Sequence, residues 1–269
     1  MQPFIVREAQ GEETPVVVSI PHAGTHLPEE IAARLASDYM RTLPMTDWHV
    51  HDLYDFLPSL GVTVIYATWS RFYVDLNRAP ENTPLYPGRF ETGLVPLETF
   101  DGERIWTIPP DAHEIDTRRE RVHAPYHAKL AELLESKKSR FGRAYLIDAH
   151  SVASRANRLH GELVDHVFLG NRDGATCDEW MIDLFDMAFT ERGYAVARNY
   201  PYKGGFITDH YGRLPGVRAL QIEMAQRVYM DENDPARALQ HPNFMKAKHD
   251  IRGVFVDFLD WLHNIRDVR

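Results

Sequence analysis

The apolar run Ala144–Ile147 ends in Asp148-Ala149-His150-Ser151, and strand alternation puts Asp148 and His150 on one face. A carboxylate beside an imidazole fixes its tautomer and suits it to hold a metal ion. Asp148 as a helix cap or surface charge is the plainer alternative, and the spacing favours the metal. The run Pro15–Ile20 leads into Pro21-His22-Ala23-Gly24-Thr25-His26, where small residues leave room for a ligand. One histidine alone is more often packing or surface, so His22 counts as a ligand only beside a partner such as His150.

The run Arg218–Ile222 continues through Glu223 to Met224, with Gln221 and Glu223 on one face and Leu220 and Ile222 on the other. A carboxylate in an apolar strand is costly unless it is paired or close to a metal. Such a group is a candidate general base. The competing picture, an edge strand with Glu223 in solvent, fits poorly with apolar Leu220, Ile222 and Met224.

The segment Ser70–Pro80 places Asp75 and Asn77 on one face of an expected strand, with Arg71 and Arg78 close by. The arginine fork grips a carboxylate in two places, though a structural salt bridge would use the same residues. Further on, Lys203-Gly204-Gly205 could offer backbone N–H groups and a cation to an anion, or form a simple turn. The sequence has no G-x-S-x-G elbow, phosphate loop, H-E-x-x-H helix or G-x-G-x-x-G after a strand. These absences argue against serine-hydrolase, nucleotide-binding and dehydrogenase chemistry.

These residues must be carried by a scaffold of alternating elements. Strands are expected over Pro15–Ile20, Val62–Trp69, Phe72–Leu76, Ala144–Ile147, His166–Leu169 and Arg218–Ile222. Helices are expected over Glu29–Met40, His49–Leu60, Asp111–Phe141 with a break at Pro125, Thr176–Arg192 and Asn243–Ile265. The pattern predicts an α/β fold with a largely parallel or mixed sheet covered on both faces, and ligands beyond the strands' carboxyl ends. The stretch 79–110, rich in Pro, Gly, Glu and Thr, reads as a functional loop such as a lid.

At 269 residues the chain suffices for one large domain and is marginal for two. A net charge of −9 disfavours nucleic acid and anionic membranes, and it requires arginines around any anionic substrate. The lone Cys177 permits no intrachain disulfide and reads as structural. Without a signal-like N-terminus or a long apolar run, the expectation is a cytoplasmic protein. Nothing in the sequence sets an oligomeric state.

The segments SIPHAGTHLP, TDWHV, SRFYVDLNRAPENTPLYPG, IDAHS, PYKGGFIT and ALQIEM occur in this order over roughly residues 15–230. Together they resemble the N-formylglutamate amidohydrolase (N-formylglutamate deformylase) family; each is weak alone and the series is specific. That family is related to the zinc carboxypeptidases and to aspartoacylase. The resemblance therefore implies one zinc-carboxypeptidase-like domain over 1–269, with a mixed, largely parallel central sheet flanked by helices. It implies one zinc ion on His22 and His150, with Glu223 as general base and Asn77 and Arg78 on the substrate α-carboxylate.

The relatives supply a third ligand as Glu three residues after the first His, and here that position is Thr25. Asp47 is the expected replacement, with His51 and His26 as alternatives and an N-cap as the plain role of an Asp there. Arg71 is expected near the oxyanion, and Lys203, Gly205 and Thr208 on the side-chain carboxylate. The implied reaction releases formate and L-glutamate from N-formyl-L-glutamate, as in the last step of one histidine-degradation route. The alternatives are a deacylase for another small acidic N-acyl amino acid, a short-peptide carboxypeptidase, or a non-catalytic carboxylate- or metal-binding protein.

Overall fold

Runs that are apolar on both faces belong inside a covered parallel sheet. β2 (Val16–Ile20), β3 (Thr63–Ala67), β4 (Ala144–Val152) and β7 (Val217–Ala225) are such runs, and they lie parallel at its centre. The computed structural model describes residues 1–84, 88 and 90–266. Leu85, Tyr86 and Pro87 of one quoted motif, with Arg89 of the expected loop, lie outside the described residues. The sheet has seven strands in the order β1-β3-β2-β4-β7-β5-β6. The edge strand β1 (Phe4–Arg7) runs antiparallel to β3. β5 (Val167–Gly170) joins β7 antiparallel and pairs in parallel with β6 (Val196–Arg198). The mixed sheet of the sequence reading is the observed one.

Two apolar layers cover the sheet. Val16, Val18, Ile147, Leu220 and Ile222 face α3 (Val50–Leu53), α6 (Glu179–Glu191) and α8 (Pro242–Arg266). Val17, Ile65, Leu146 and Ala219 face α5 (Ala124–Phe141) and α7 (Phe206–Gly212). On this second face the pattern changes along each strand. Val17 is followed by Ser19, Leu146 by Asp148 and His150, and Ala219 by Gln221 and Glu223. One sheet face is thus core at the strands' beginnings and polar floor at their ends.

Several expected elements take other forms. Phe72–Leu76 is not a strand; it is a run of turns outside the sheet, and side chains satisfy part of its backbone. The expected helix over Glu29–Met40 divides into α1 (Glu29–Ala32) and α2 (Asp38–Arg41), because Ser37 caps the second with its hydroxyl on Met40 N. His49–Leu60 becomes α3 followed by a 3₁₀ turn over Leu57–Leu60. Asp111–Phe141 is α4 (Ala112–Arg118), a π turn over Arg119–His123, and α5, with Pro125 in the first turn of α5. The described part of 79–110 holds no helix or named strand but has a core of its own. Val95, Ile105 and Trp106 pack with Leu35, Met40 and Phe72, and Trp106 Nε1 donates to Pro96 O at 2.7 Å. Among the described residues, no helix is long and apolar enough to cross a membrane.

Phe258 on α8 lies fully inside the first layer, with its ring 5.7 Å from Tyr145 and 4.9 Å from Phe185. Phe258→Ala is expected to lower the unfolding free energy by about 3–5 kcal/mol in urea titrations, the usual result of emptying such a site.

Candidate metal centre and active site

The polar floor is built by strand register. Asp148 lies between Ser19 and Gln221, and His150 lies directly beside Glu223. His22 leaves the end of β2, and Gly24 lets that turn press on the chain just after β3, since a Cβ there would sit 2.2 Å from Trp69 O. Asp47 N donates to His22 O at 3.1 Å, so the loop before α3 is joined to the turn after β2. His22, Asp47 and His150, all buried, therefore bring ligand atoms within 4.8 Å of one another.

Each imidazole is held from behind by a carboxylate. His22 Nε2 is 2.7 Å from Asp75 Oδ1, and His150 Nε2 is 3.1 Å from Asp148 Oδ2. Donation of those Nε2–H groups leaves Nδ1 of both rings turned to Asp47 Oδ2, at 3.7 Å for His22 and 2.8 Å for His150. Asp47 is not the N-cap of α3, a place taken by His49. The other candidates for third ligand lie elsewhere. His26 packs on the Trp69 ring at 4.6 Å, and His51 stacks on Tyr66 at 5.2 Å beside Asp52.

This donor set fits a divalent cation such as zinc, which takes imidazole nitrogen and carboxylate oxygen. Asp47, Asp75 and Asp148 are buried together, and two arginines reach Asp75: Arg71 Nη2 donates to its Oδ2 at 2.6 Å, and Arg78 Nη1 lies 4.0 Å from the same oxygen. Buried charge needs compensation. With no metal, protons supply it. Burial opposes a charge on His150, yet Asp148 and Asp47 raise it well above the ordinary histidine value. Burial likewise pushes Asp47 upward, but hydrogen bonds from His150 and His22 outweigh it and hold the carboxyl low. For Asp75, burial is overcome by Arg71 and His22, and the carboxyl stays well below its usual range.

Glu223 is 7% exposed and has a weak contact to Gln221 Nε2 at 3.5 Å. Burial pushes its carboxyl up to about 8, with His150 opposing and Asp47 adding to the rise. A divalent charge nearby would draw that value down.

A cavity of about 480 Å³ opens over this floor. His22, Asp47, His150 and Glu223 form its base, and Arg71, Arg78, Arg158 and Lys203 bring cations to its wall. Phe90, Glu91 and Phe100 of the expected loop form part of the same wall. Arg71 is 6% exposed, and its Nε finds no partner among the described residues. Arg78 is braced by Thr92 O at 2.7 Å, Thr92 Oγ1 at 2.8 Å and Asn77 O at 2.9 Å. Lys203 Nζ meets Asp173 at 2.6 Å, and Gly205 N donates to Gln221 Oε1 at 2.9 Å.

The structure does not bring every expected group to the cavity in the same way. Asn77 lines it, but its amide is committed: Oδ1 accepts from Ile207 N at 2.8 Å, and Nδ2 reaches Asp148 Oδ2 at 3.3 Å. A Cβ on Gly205 would sit 2.3 Å from that amide, so glycine is required there. Thr208 is fully buried, with its hydroxyl on Asp148 Oδ2 at 3.2 Å, behind the floor.

The sequence model of N-formylglutamate amidohydrolases matches residues 14–230. The chain belongs to the N-formylglutamate amidohydrolase family. It is 38% identical over 225 residues to an N-formylglutamate deformylase of Pseudomonas putida, covering 82% of this chain and 84% of that protein. With the N-formylglutamate deformylase of Pseudomonas aeruginosa the identity is 39% over the same length and coverage. The crystal structure of an N-formylglutamate amidohydrolase from Ralstonia eutropha JMP134 matches with a TM-score of 0.82 and 29% identity over 100% of both chains. A protein of Agrobacterium tumefaciens shares the fold, with a TM-score of 0.69 at 20% identity over 94% of this chain and 97% of that one.

For this member of the N-formylglutamate amidohydrolase family, two wall and floor residues escaped the sequence reading. Asp75 stood out only as a carboxylate near Asn77, and its partner His22 is 53 positions away. Arg158 lies in a stretch without periodic pattern; its Nη1 meets Glu98 Oε2 at 2.7 Å, and its guanidinium lies over the Phe90 ring.

Glu223 supplies a stability test in the metal-free protein. Its folded value of about 8 lies above the ordinary 4.5, so its contribution is intact below that ordinary value and is lost as pH rises through 8. Glu223→Gln removes the loss. The melting temperature of the variant is expected to exceed that of the wild type by a margin that widens toward pH 8 and is constant above it; scanning calorimetry across pH reads this directly.

Proposed function

We propose that the protein is a cytoplasmic zinc-dependent amidohydrolase that cleaves N-formyl-L-glutamate to formate and L-glutamate, closing a histidine-degradation route. The observation that carries the reading is the placement of the buried Glu223 carboxylate in register with His150, over the same cavity floor as His22 and Asp47. The family relatives named as N-formylglutamate deformylases support the substrate. His22, Asp47 and His150 would hold the zinc. When bound there, zinc supplies a Lewis acid that acidifies water and polarises the formyl oxygen.

Glu223 accepts a proton from the attacking water as its oxygen bonds to the formyl carbon. The same carboxyl then protonates the amide nitrogen, because a glutamate amine leaves poorly as an anion. Burial raises the proton affinity of this carboxyl and a bound divalent charge would lower it again, so that it can both take the water proton and return it. Arg71 faces the developing negative charge as a fixed cation in a shielded site. Arg78, with Asn77 behind it, takes the α-carboxylate. Beside Gly205, the side-chain carboxylate goes to Lys203 and Arg158, whose partners Asp173 and Glu98 are 60% and 49% exposed. Such exposed ion pairs are worth little and yield readily to a substrate carboxylate. Thr208 acts from behind, through Asp148.

Glu223→Gln is expected to keep zinc and lower kcat by at least about 10²-fold, the lower range for a lost acid–base group; near-normal turnover would remove it as the base. His150→Ala should lose zinc by elemental analysis, and a full complement of metal would overturn the ligand assignment. Arg78→Ala should raise KM for N-formylglutamate far more than for its α-carboxamide, which lacks the carboxylate that Arg78 holds. N-acetylglutamate and N-formylaspartate as competing substrates set the acyl and chain-length limits.

A further inference from the structure

Segment 70–78 carries Arg71, Asp75, Asn77 and Arg78, yet it pairs with no strand. Its carbonyl groups need donors from elsewhere. Four of them are served by one helical stretch. Arg118 Nη1 reaches Phe72 O at 3.4 Å and Tyr73 O at 3.2 Å. His127 Nε2 is 2.8 Å from Leu76 O, and His123 Nε2 is 2.9 Å from Arg78 O. The two histidines therefore grip the backbone on either side of Asn77.

The helix is built for this. An α-helix turns about 100° per residue, so positions five apart point about 140° away from each other. Arg118 and His123 are five apart and serve the same segment because the π turn Arg119–His123 takes up the extra residue. Pro125 explains the turn: it has no N–H to return to the carbonyl of Arg121. His127, in α5, follows His123, the last residue of the π turn, by four positions, and their ring centroids are 4.2 Å apart. The Tyr211 hydroxyl lies 3.0 Å from His127 Nδ1 and donates to the His127 carbonyl at 3.0 Å. The Leu76 carbonyl can only accept, so Nε2 is the protonated nitrogen. Burial lowers both rings, His127 to about 3, so each is neutral and has one N–H to give.

We propose that His123 and His127 are positioning residues, whose Nε2–H groups fix segment 75–78 so that Asp75 stays on His22 and Arg78 stays on the cavity wall. Neither ring lines the cavity, and neither touches the metal-site histidines. Their influence runs through the Leu76 and Arg78 carbonyls. The proposal rests on the functional reading above for its kinetic consequence, but its metal-site consequence is independent of turnover.

Replacement by Gln keeps a donor near Nε2 and discards the ring, whereas Phe keeps the ring and discards the donor. Zinc affinity by chelator competition, kcat and KM for N-formylglutamate, and melting temperature are measured for both substitutions at each position. His127→Phe is expected to weaken zinc binding by about tenfold or more, as loss of support behind a ligand does. His123→Phe is expected to raise KM with a smaller change in kcat. His123→Gln and His127→Gln should stay within about threefold of wild type in both measures. Folded Phe variants that match wild type would overturn the proposal, and so would Gln variants as impaired as Phe, which would mark the rings as packing. If the Phe variants do not fold, Tyr211→Phe serves instead. It frees the His127 imidazole and should weaken zinc binding in the same direction; an unchanged affinity overturns the proposal. Wild-type protein that binds zinc but hydrolyses no N-formylglutamate would end the functional reading alone, with the zinc comparison still deciding the role of the histidines.

Discussion

Two imidazoles and three carboxylates lie buried against one another at the ends of β2 and β4, with Arg71 and Arg78 both reaching Asp75. Charges removed from water must be compensated locally. In the metal-free protein a proton on His150 contributes to this, and a divalent cation held by His22, Asp47 and His150 would supply it directly. The surroundings follow from that need. Ser19, Asn77 and Thr208 all turn donors to Asp148, and Asp75 accepts from Asn77 N and Arg71.

The second demand is local positive charge on an acidic protein. The chain has a net charge of −9, yet four cationic side chains meet at one cavity. They come from three separated segments: positions 71 and 78 from one, 158 and 203 from the others. All four are already tethered by hydrogen bonds or ion pairs. Tethering limits the entropy lost when an anion binds, while weak exposed partners leave the charge available.

The helical stretch 112–141 shows how a local irregularity serves this arrangement. Its apolar residues read as one long helix with a proline flaw. In the folded chain the flaw is a π turn that brings Arg118, His123 and His127 to bear on one segment. The same segment, 70–78, looked like a strand because Phe, Tyr and Val are common in strands. Its polar residues decide otherwise: Arg71, Asp75 and Asn77 each find a partner only when the backbone leaves the sheet.

The sequence by itself determined the mixed sheet, the alternation that sets Asp148 beside His150 and Gln221 beside Glu223, and the outline of a metal site. These features follow from period-two geometry and burial, which act between neighbours in the chain. It also marked Asp47, though only after Thr25 failed as a ligand. Tertiary structure alone decided that Asp47, and not His26 or His51, meets the two histidines. It also decided that Asp75 backs His22, that Asn77 and Thr208 work from behind the floor, and that Arg158 joins the wall. Each of these pairings joins residues tens of positions apart, and no local periodicity encodes which side chain will be opposite. The distances are set by how loops cross at the strand ends, where packing and the satisfaction of buried charge act on the whole chain at once.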